Sequence, residues 1–337
     1  MRFVWAALGM LAILALTLAC FGLDVPRSLS LIVEGAFNLK YGWPTALTRA
    51  TPLCMTALGV AVAWRAGMYN IGGEGQYLVG ALGATTVAAL LAPVAAPLWA
   101  PLLLSAGVVG GAAWASLATW AWLKRGVQLV VSTILLNFVA IELVAWAVRG
   151  PLQEPSHQRP MSATVPNEAM LLQLVRGTSL HSGVFVAALA VVAVSVFVSY
   201  TKQGLLLRVV GANPRLARTE RLPVARTQFV AMAVSGGMCG LAGAVEFVGV
   251  TGRLGDGFSQ NWGFLAIPVA LLGGLEPLWV GLSALYFGAL FAGTENLTRY
   301  TPIGNTVVAV VQATAVLAFF ALGRLLAKRP RTVEEPA

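Results

Sequence analysis

The residues Gly67-Met68-Tyr69-Asn70-Ile71-Gly72-Gly73-Glu74-Gly75-Gln76 put hydrogen-bonding side chains among glycines, between two apolar runs. Glycine permits unusual dihedrals and close backbone approach. Asn70, Glu74 and Gln76 carry polar groups where lipid supplies no partner, so each must face protein, a cavity or water. The segment is not a phosphate-cradling loop of the GxxxxGK[ST] kind, because the Lys is missing. A second polar set, Ser132, Asn137 and Glu142, interrupts an otherwise apolar stretch. At 100° per residue Asn137 and Glu142 lie about 140° apart on a helix, so they do not share a narrow stripe. One faces a solute path and the other a neighbouring helix, or both glue helices together. Glu246 is expected at the membrane interface. Neutral amides such as Asn70, Gln76 and Asn137 suit a neutral polar solute better than an ion.

The segment 201–226 carries a third signal. Asn213 is a natural N-cap and Pro214 a natural first helical residue, and Pro223 ends the helical stretch. This predicts a helix of about two turns, too short to stand alone. Its Arg215 and Arg218 suit either anionic headgroups or a cytosolic partner.

Nothing resembles a catalytic or metal centre. His157 and His181 flank one loop, and Cys20, Cys54 and Cys239 lie in apolar stretches with no CxxC spacing. GxSxG and HExxH are absent, so the chain is not read as an enzyme.

The elements that must position these residues can be read from composition. Of 337 residues, 58% are hydrophobic and only 10% charged, too few charges to cover a water-soluble surface. The solvent is a bilayer, and the net charge of +9 reports orientation rather than nucleic-acid binding. Ten apolar segments, roughly 3–23, 48–64, 71–92, 98–122, 128–148, 183–200, 227–250, 262–275, 278–293 and 304–323, predict an all-α polytopic bundle of about ten spans. Arg2 and the run to Leu23, with Leu18-Ala19-Cys20, resemble a signal peptide, but the length suits a retained first helix. With both termini cytoplasmic, 14 of the 22 Lys and Arg residues fall inside, and the other 8 lie mostly in the long loops 24–47 and 149–182. The chain reads as one membrane domain, 1–337, with a cytoplasmic loop 201–226 and tail 324–337. Gly107-xxx-Gly111 and Gly236-xxx-Gly240 are spaced for close helix approach. The eighth and ninth segments are short and parted by Gly273-Gly274-Leu275-Glu276-Pro277, either a tight turn or an interruption beside a solute path.

Six blocks in register carry a resemblance. They are Tyr69–Gln76, Val131–Asn137, Gly150-Pro151-Leu152, Val210-Gly-Ala-Asn-Pro214, Ser235–Gly243 and Gly263–Pro277. Over about residues 45–325 the chain resembles bacterial ABC importer permeases of the branched-chain amino acid and monosaccharide type, and more closely the nucleoside and simple-sugar subfamily. Pro268 and Glu276 depart from that pattern.

The resemblance implies a multi-pass permease of the bacterial cell membrane that binds no cofactor itself. ATP would be hydrolysed by a separate ABC ATPase, a second permease would complete the pore, and a binding lipoprotein would deliver the solute. It implies that Gly211, Asn213, Pro214, Arg215 and Arg218 belong to the coupling loop that meets the ATPase. Asn70, Glu74, Gln76 and Asn137 are the candidates for the solute path. The expected solute is a nucleoside, then a simple sugar, then a branched-chain amino acid. The rivals are a proton-coupled transporter working through Glu142, a membrane-embedded enzyme and a passive channel.

Overall fold

The computed structural model describes residues 12–90, 96–301, 309–314 and 317. The described residues are helical apart from loops and isolated bridges. The helices are α1 (Ala12–Cys20), α2 (Val25–Phe37), α3 (Gly42–Arg65), α4 (Gly73–Leu90), α5 (Ala96–Arg125), α6 (Leu129–Arg149), α7 (Gly183–Tyr200), α8 (Lys202–Ala212), α9 (Pro214–Thr219), α10 (Val224–Glu246), α11 (Trp262–Leu272) and α12 (Pro277–Tyr300). A π-helical turn, Phe247–Thr251, extends α10.

Among the described residues, six helices are long and apolar enough to cross a membrane: α3, α5, α6, α7, α10 with its π turn, and α12. A seventh span is formed if α1 and α2, bent by 116° to one another, count as one. The segment 3–23 lies partly, and 304–323 mostly, outside the described residues. The stretch 24–47 is not the loop the sequence suggests: Asp24 caps α2 by accepting from Arg27 N at 2.8 Å. The eighth and ninth segments are two separate helices. At 11 residues α11 is about 16 Å long, half a bilayer core, and carries Pro268 within it.

Of the described residues, those up to Trp43 and from Ala289 onward form one compact unit, and Pro44–Gly288 form another. In the first, glycines admit backbone to backbone. A Cβ on Gly293 would lie 2.5 Å from Ile32 O, and Asn296 Nδ2 donates to Leu31 O at 2.9 Å. Leu14, Leu18, Ile32, Leu297 and Val311 fill its core.

In the second unit the same device holds α4, α5 and α10. A Cβ on Gly111 would sit 2.1 Å from Gly236 O, one on Gly240 2.1 Å from Gly107 O, and one on Gly80 2.2 Å from Gly240 Cα. The two small-xxx-small patterns therefore face each other, and α4 joins them through Gly80. Hydrophobic burial gives no drive for helix association in lipid, so such close van der Waals contact must supply it.

The loop 150–182 is pinned to the segment after α10. Ser162 N donates to Leu254 O at 2.7 Å, Val165 N to Gly252 O at 2.9 Å and Leu171 N to Val248 O at 2.9 Å. Arg149 pairs with Asp256 at 2.5 Å.

Candidate functional site

The polar loop begins where α3 stops. Gly67 takes φ +73°, a left-handed turn that favours glycine. The chain then runs back along α3, and α4 starts with Gly73 beside Thr56, near the middle of α3 (a Gly73 Cβ would lie 3.5 Å from Thr56 Cγ2). A run of backbone without helix inside a membrane bundle must satisfy its own polar groups. Asn70 does most of this. Its Nδ2 donates to Gln76 Oε1 and Ser235 Oγ, both at 2.9 Å. Its Oδ1 accepts from Gly72 N at 2.9 Å and Gln76 Nε2 at 3.0 Å. Asn137 reaches in from α6: Nδ2 donates to Ile71 O at 2.9 Å, and Oδ1 accepts from Gly75 N at 2.8 Å. All three amides are buried. The polar atoms that the sequence left open for a solute are occupied here by one another and by the loop.

Glu74 does something different. Its Oε2 accepts from Gly263 N at 2.8 Å, and a Cβ on Gly263 would lie 2.0 Å from Glu74 N. The first turns of α4 and α11 therefore meet, and a carboxylate from one caps the other. Helix N-termini carry partial positive charge, so the carboxylate is well placed. Two interrupted helices meeting inside a bundle is the arrangement transporters use around a solute.

Several groups that sequence reasoning missed surround this junction. Trp262 is buried, with the Arg49 guanidinium 5.9 Å from its ring centroid. Arg49 also donates to Gln260 Oε1 at 3.4 Å. Tyr77 is fully buried with its ring 5.7 Å from that of Phe258, and its hydroxyl has no hydrogen-bond partner among the described residues. Glu246 is 5% exposed, so its side chain is covered by protein. Arg49 acts electrostatically on Glu246, and Tyr77 lies in the field of Glu74, Glu246 and Arg49. A charge in the middle of an apolar run was the available signal for Glu246.

The segment 201–226 holds the short helix its sequence predicts, α9, and a second helix, α8, before it. Thr201 caps α8 by accepting from Gly204 N at 3.0 Å, and Asn213 caps α9 by accepting from Arg215 N at 3.1 Å and Leu216 N at 3.0 Å. Ala217, Val210 and Val224 form a small core that holds the short α9 in place. Arg215 and Arg218 are exposed. Gly211 abuts the end of α3: a Cβ there would lie 1.9 Å from Arg65 O.

The family model described as branched-chain amino acid transport system / permease component matches residues 44–321. The chain belongs to this family. The permease is 32% identical to a glucose ABC transporter permease protein of Haloferax volcanii, over 93% of its own length and 85% of the relative's. It is 30% identical to a guanosine ABC transporter permease protein of Bacillus subtilis, over 90% and 88%. A nucleoside ABC transporter permease protein of Lactococcus lactis is 28% identical over 80% and 76%. No solved structure matches. The permease is thus a multi-pass membrane subunit of an ABC transporter and not an enzyme, and ATP is hydrolysed on a partner subunit.

The structure brings Asn70, Glu74, Gln76 and Asn137 of the permease together in one cluster, with Gly211 tied to the end of α3. Glu142 is elsewhere. It is exposed on α6 while Asn137 is buried, as their angular separation requires. A proton route through Glu142 therefore has no interior site in this chain.

His181 is also buried, not a surface loop residue. Its Nδ1 accepts from Gly183 N at 3.1 Å, and a Cβ on Gly249 would lie 2.5 Å from its Cε1. Burial pushes its pKa down to about 4, so it is neutral in the folded protein at pH 7. The unfolded chain binds that proton near pH 6.5, so stability falls as pH drops from about 6.5 toward 4. At pH 5 the loss is about 2 kcal/mol. Thermal unfolding of the purified permease at pH 7 and pH 5 should show this drop, and His181→Asn should remove most of the difference.

Proposed function

We propose that the permease forms one half of the pore of an ABC importer for a sugar-bearing solute, a nucleoside first and a simple sugar second. The observation that carries the reading is the meeting of α4 and α11 at Glu74 and Gly263. Around that junction lie two buried carboxylates, Glu74 and Glu246, and the buried Trp262. Carboxylates bind vicinal hydroxyls by paired hydrogen bonds, and an aromatic face stacks on a sugar ring or base. Glucose and guanosine, named for the relatives, share a polyhydroxylated ring.

In this reading Asn70, Gln76 and Asn137 hold the wall of the path and Glu74 lies at its narrowest part. Both termini are cytoplasmic and the whole chain, 1–337, makes about ten spans. The loop 201–226 faces the ATPase, and Gly211, Asn213, Pro214, Arg215 and Arg218 transmit its motion. The tail 324–337 is cytoplasmic. A second, different permease chain completes the pore, as the paired guanosine permeases of Bacillus subtilis suggest. A binding lipoprotein supplies the solute at the opposite face, and the membrane is the bacterial inner membrane.

Uptake into proteoliposomes holding the full complex tests the reading. Transport of labelled guanosine should require ATP, survive a protonophore and be competed by other nucleosides more strongly than by leucine. Arg215→Glu with Arg218→Glu should lower uptake at least about tenfold while the permease still inserts, since both side chains are exposed and their loss costs little stability. Normal transport and ATPase coupling in that variant would remove the coupling assignment.

A further inference from the structure

The last turn of α3 touches three separate parts of the chain at once. Its backbone seats the coupling segment, because Gly211 packs on Arg65 O and Gly67 packs back on Gly211 Cα with no side chain between them. Its Trp64 holds the polar loop: the indole Nε1 donates to Asn70 O at 3.2 Å, and the ring meets Tyr69 edge-on at 5.3 Å. The Arg65 side chain reaches a third place, the elbow between α11 and α12. There Nε donates to Leu275 O at 2.9 Å, and the guanidinium pairs with Glu276.

That elbow is strained. Gly274 takes φ +59° and Leu275 φ +60°. The left-handed region costs a branched side chain free energy and persists only where neighbours enforce it. Arg65 engages the carbonyl of the strained residue itself and the carboxylate of the next residue. A planar guanidinium can serve both at once, and an ammonium cannot match that fork.

We propose that Arg65 is the positioning residue that couples the ATPase-facing segment to α11. When the Gly211 end of α8 moves, it carries the end of α3 with it. Arg65 passes that displacement to the elbow at Leu275 and Glu276. The helix α11 then swings as a lever about 16 Å long, and its far end is the Gly263 junction with Glu74. The inference rests on the reading of 201–226 as the ATPase-facing segment.

Stability and transmission separate best at Glu276, the exposed partner of the pair. The side chain of Glu276 is 56% exposed and that of Arg65 15%. An ion pair with one partner in solvent contributes little to folding. Its loss should therefore spare the protein and spoil the coupling.

The test uses the complete transporter in proteoliposomes and reads solute imported per ATP hydrolysed. Arg65→Ala and Glu276→Arg should each lower that ratio at least about fivefold, within the usual range of coupling between sites, with yield and ATPase rate close to wild type. The double reversal Arg65→Glu with Glu276→Arg should recover only part of the loss seen for Glu276→Arg alone, because a carboxylate at position 65 restores the ion pair but cannot donate to Leu275 O. An unchanged ratio in both single variants overturns the proposal. A parallel fall in yield and ATPase rate at constant ratio also overturns it, because that marks a structural role only. Should Arg65→Ala fail to fold, Glu276→Arg at its exposed position still decides. The Arg215→Glu, Arg218→Glu variant separates the two levels: if its coupling is normal, the ATPase-facing assignment fails, whatever Arg65 does.

Discussion

Gly240→Ala leaves little or no folded permease in the membrane. The added methyl meets backbone, 2.1 Å from Gly107 O and 2.9 Å from Gly111 Cα. Side chains can change rotamer to make room, but backbone cannot without moving a whole helix. The neighbours are α4 and α5, which meet each other at the same point, so neither has space to retreat. The cost is at least about 3 kcal/mol, at the upper end of overpacking effects. Gly237→Ala on the same helix is the control. Its nearest neighbour is Val108 Cγ1 at 3.3 Å, a side-chain carbon that can yield, and the effect should stay within about 0.5 kcal/mol. Yield and a monodisperse size-exclusion peak in detergent distinguish the two. Equal behaviour of both variants would refute the packing argument.

Asn70→Leu should be nearly as severe for a different reason. Leucine has about the right volume but answers none of the four bonds that Asn70 makes. Gly72 N–H, the Gln76 amide and the Ser235 hydroxyl would be left buried with partners missing. At about 1–3 kcal/mol for each of the three orphaned groups the sum reaches roughly 3–9 kcal/mol. The thermal midpoint should drop by roughly 4–13 °C. Transport should fall in parallel with folded protein, at unchanged KM for the remainder. A raised KM at wild-type stability would instead mean that Asn70 meets the solute directly.

Much of this architecture could be read from the chain. Long apolar runs and few charges settle a helical membrane protein, and Asn213-Pro214 announces its cap. Gly107, Gly111, Gly236 and Gly240 announce close packing because their spacing repeats within one helix. Their packing partners needed the fold, since Gly80 and Gly240 are 160 positions apart and no local pattern joins them. The same holds for the site. Asn70, Gln76 and Asn137 stood out as polar groups among apolar ones. Their partners were invisible, so whether they serve solute or scaffold was open. Arg49, Tyr77 and Trp262 look ordinary in sequence and matter only through their surroundings. Helix α2 hid in a stretch mixed enough to pass for a loop, and the burial of Glu246 could not be read because distance along a helix says little about which side is covered.

The glycine contacts of α4, α5 and α10 have a consequence for motion. Where carbonyls rest on α-carbons there are no rotamers to exchange and no soft layer to compress. Small tilts cannot be absorbed gradually at that joint. The three helices travel together as one solid piece, and any rearrangement during a transport cycle must take place around them. The first turn of α11 is seated on that piece in the same way, through Gly263 on Glu74, whereas the elbow at Gly274 and Leu275 lies at its other end. The packing thus makes one block of three helices, so that moving any one of them means moving all three.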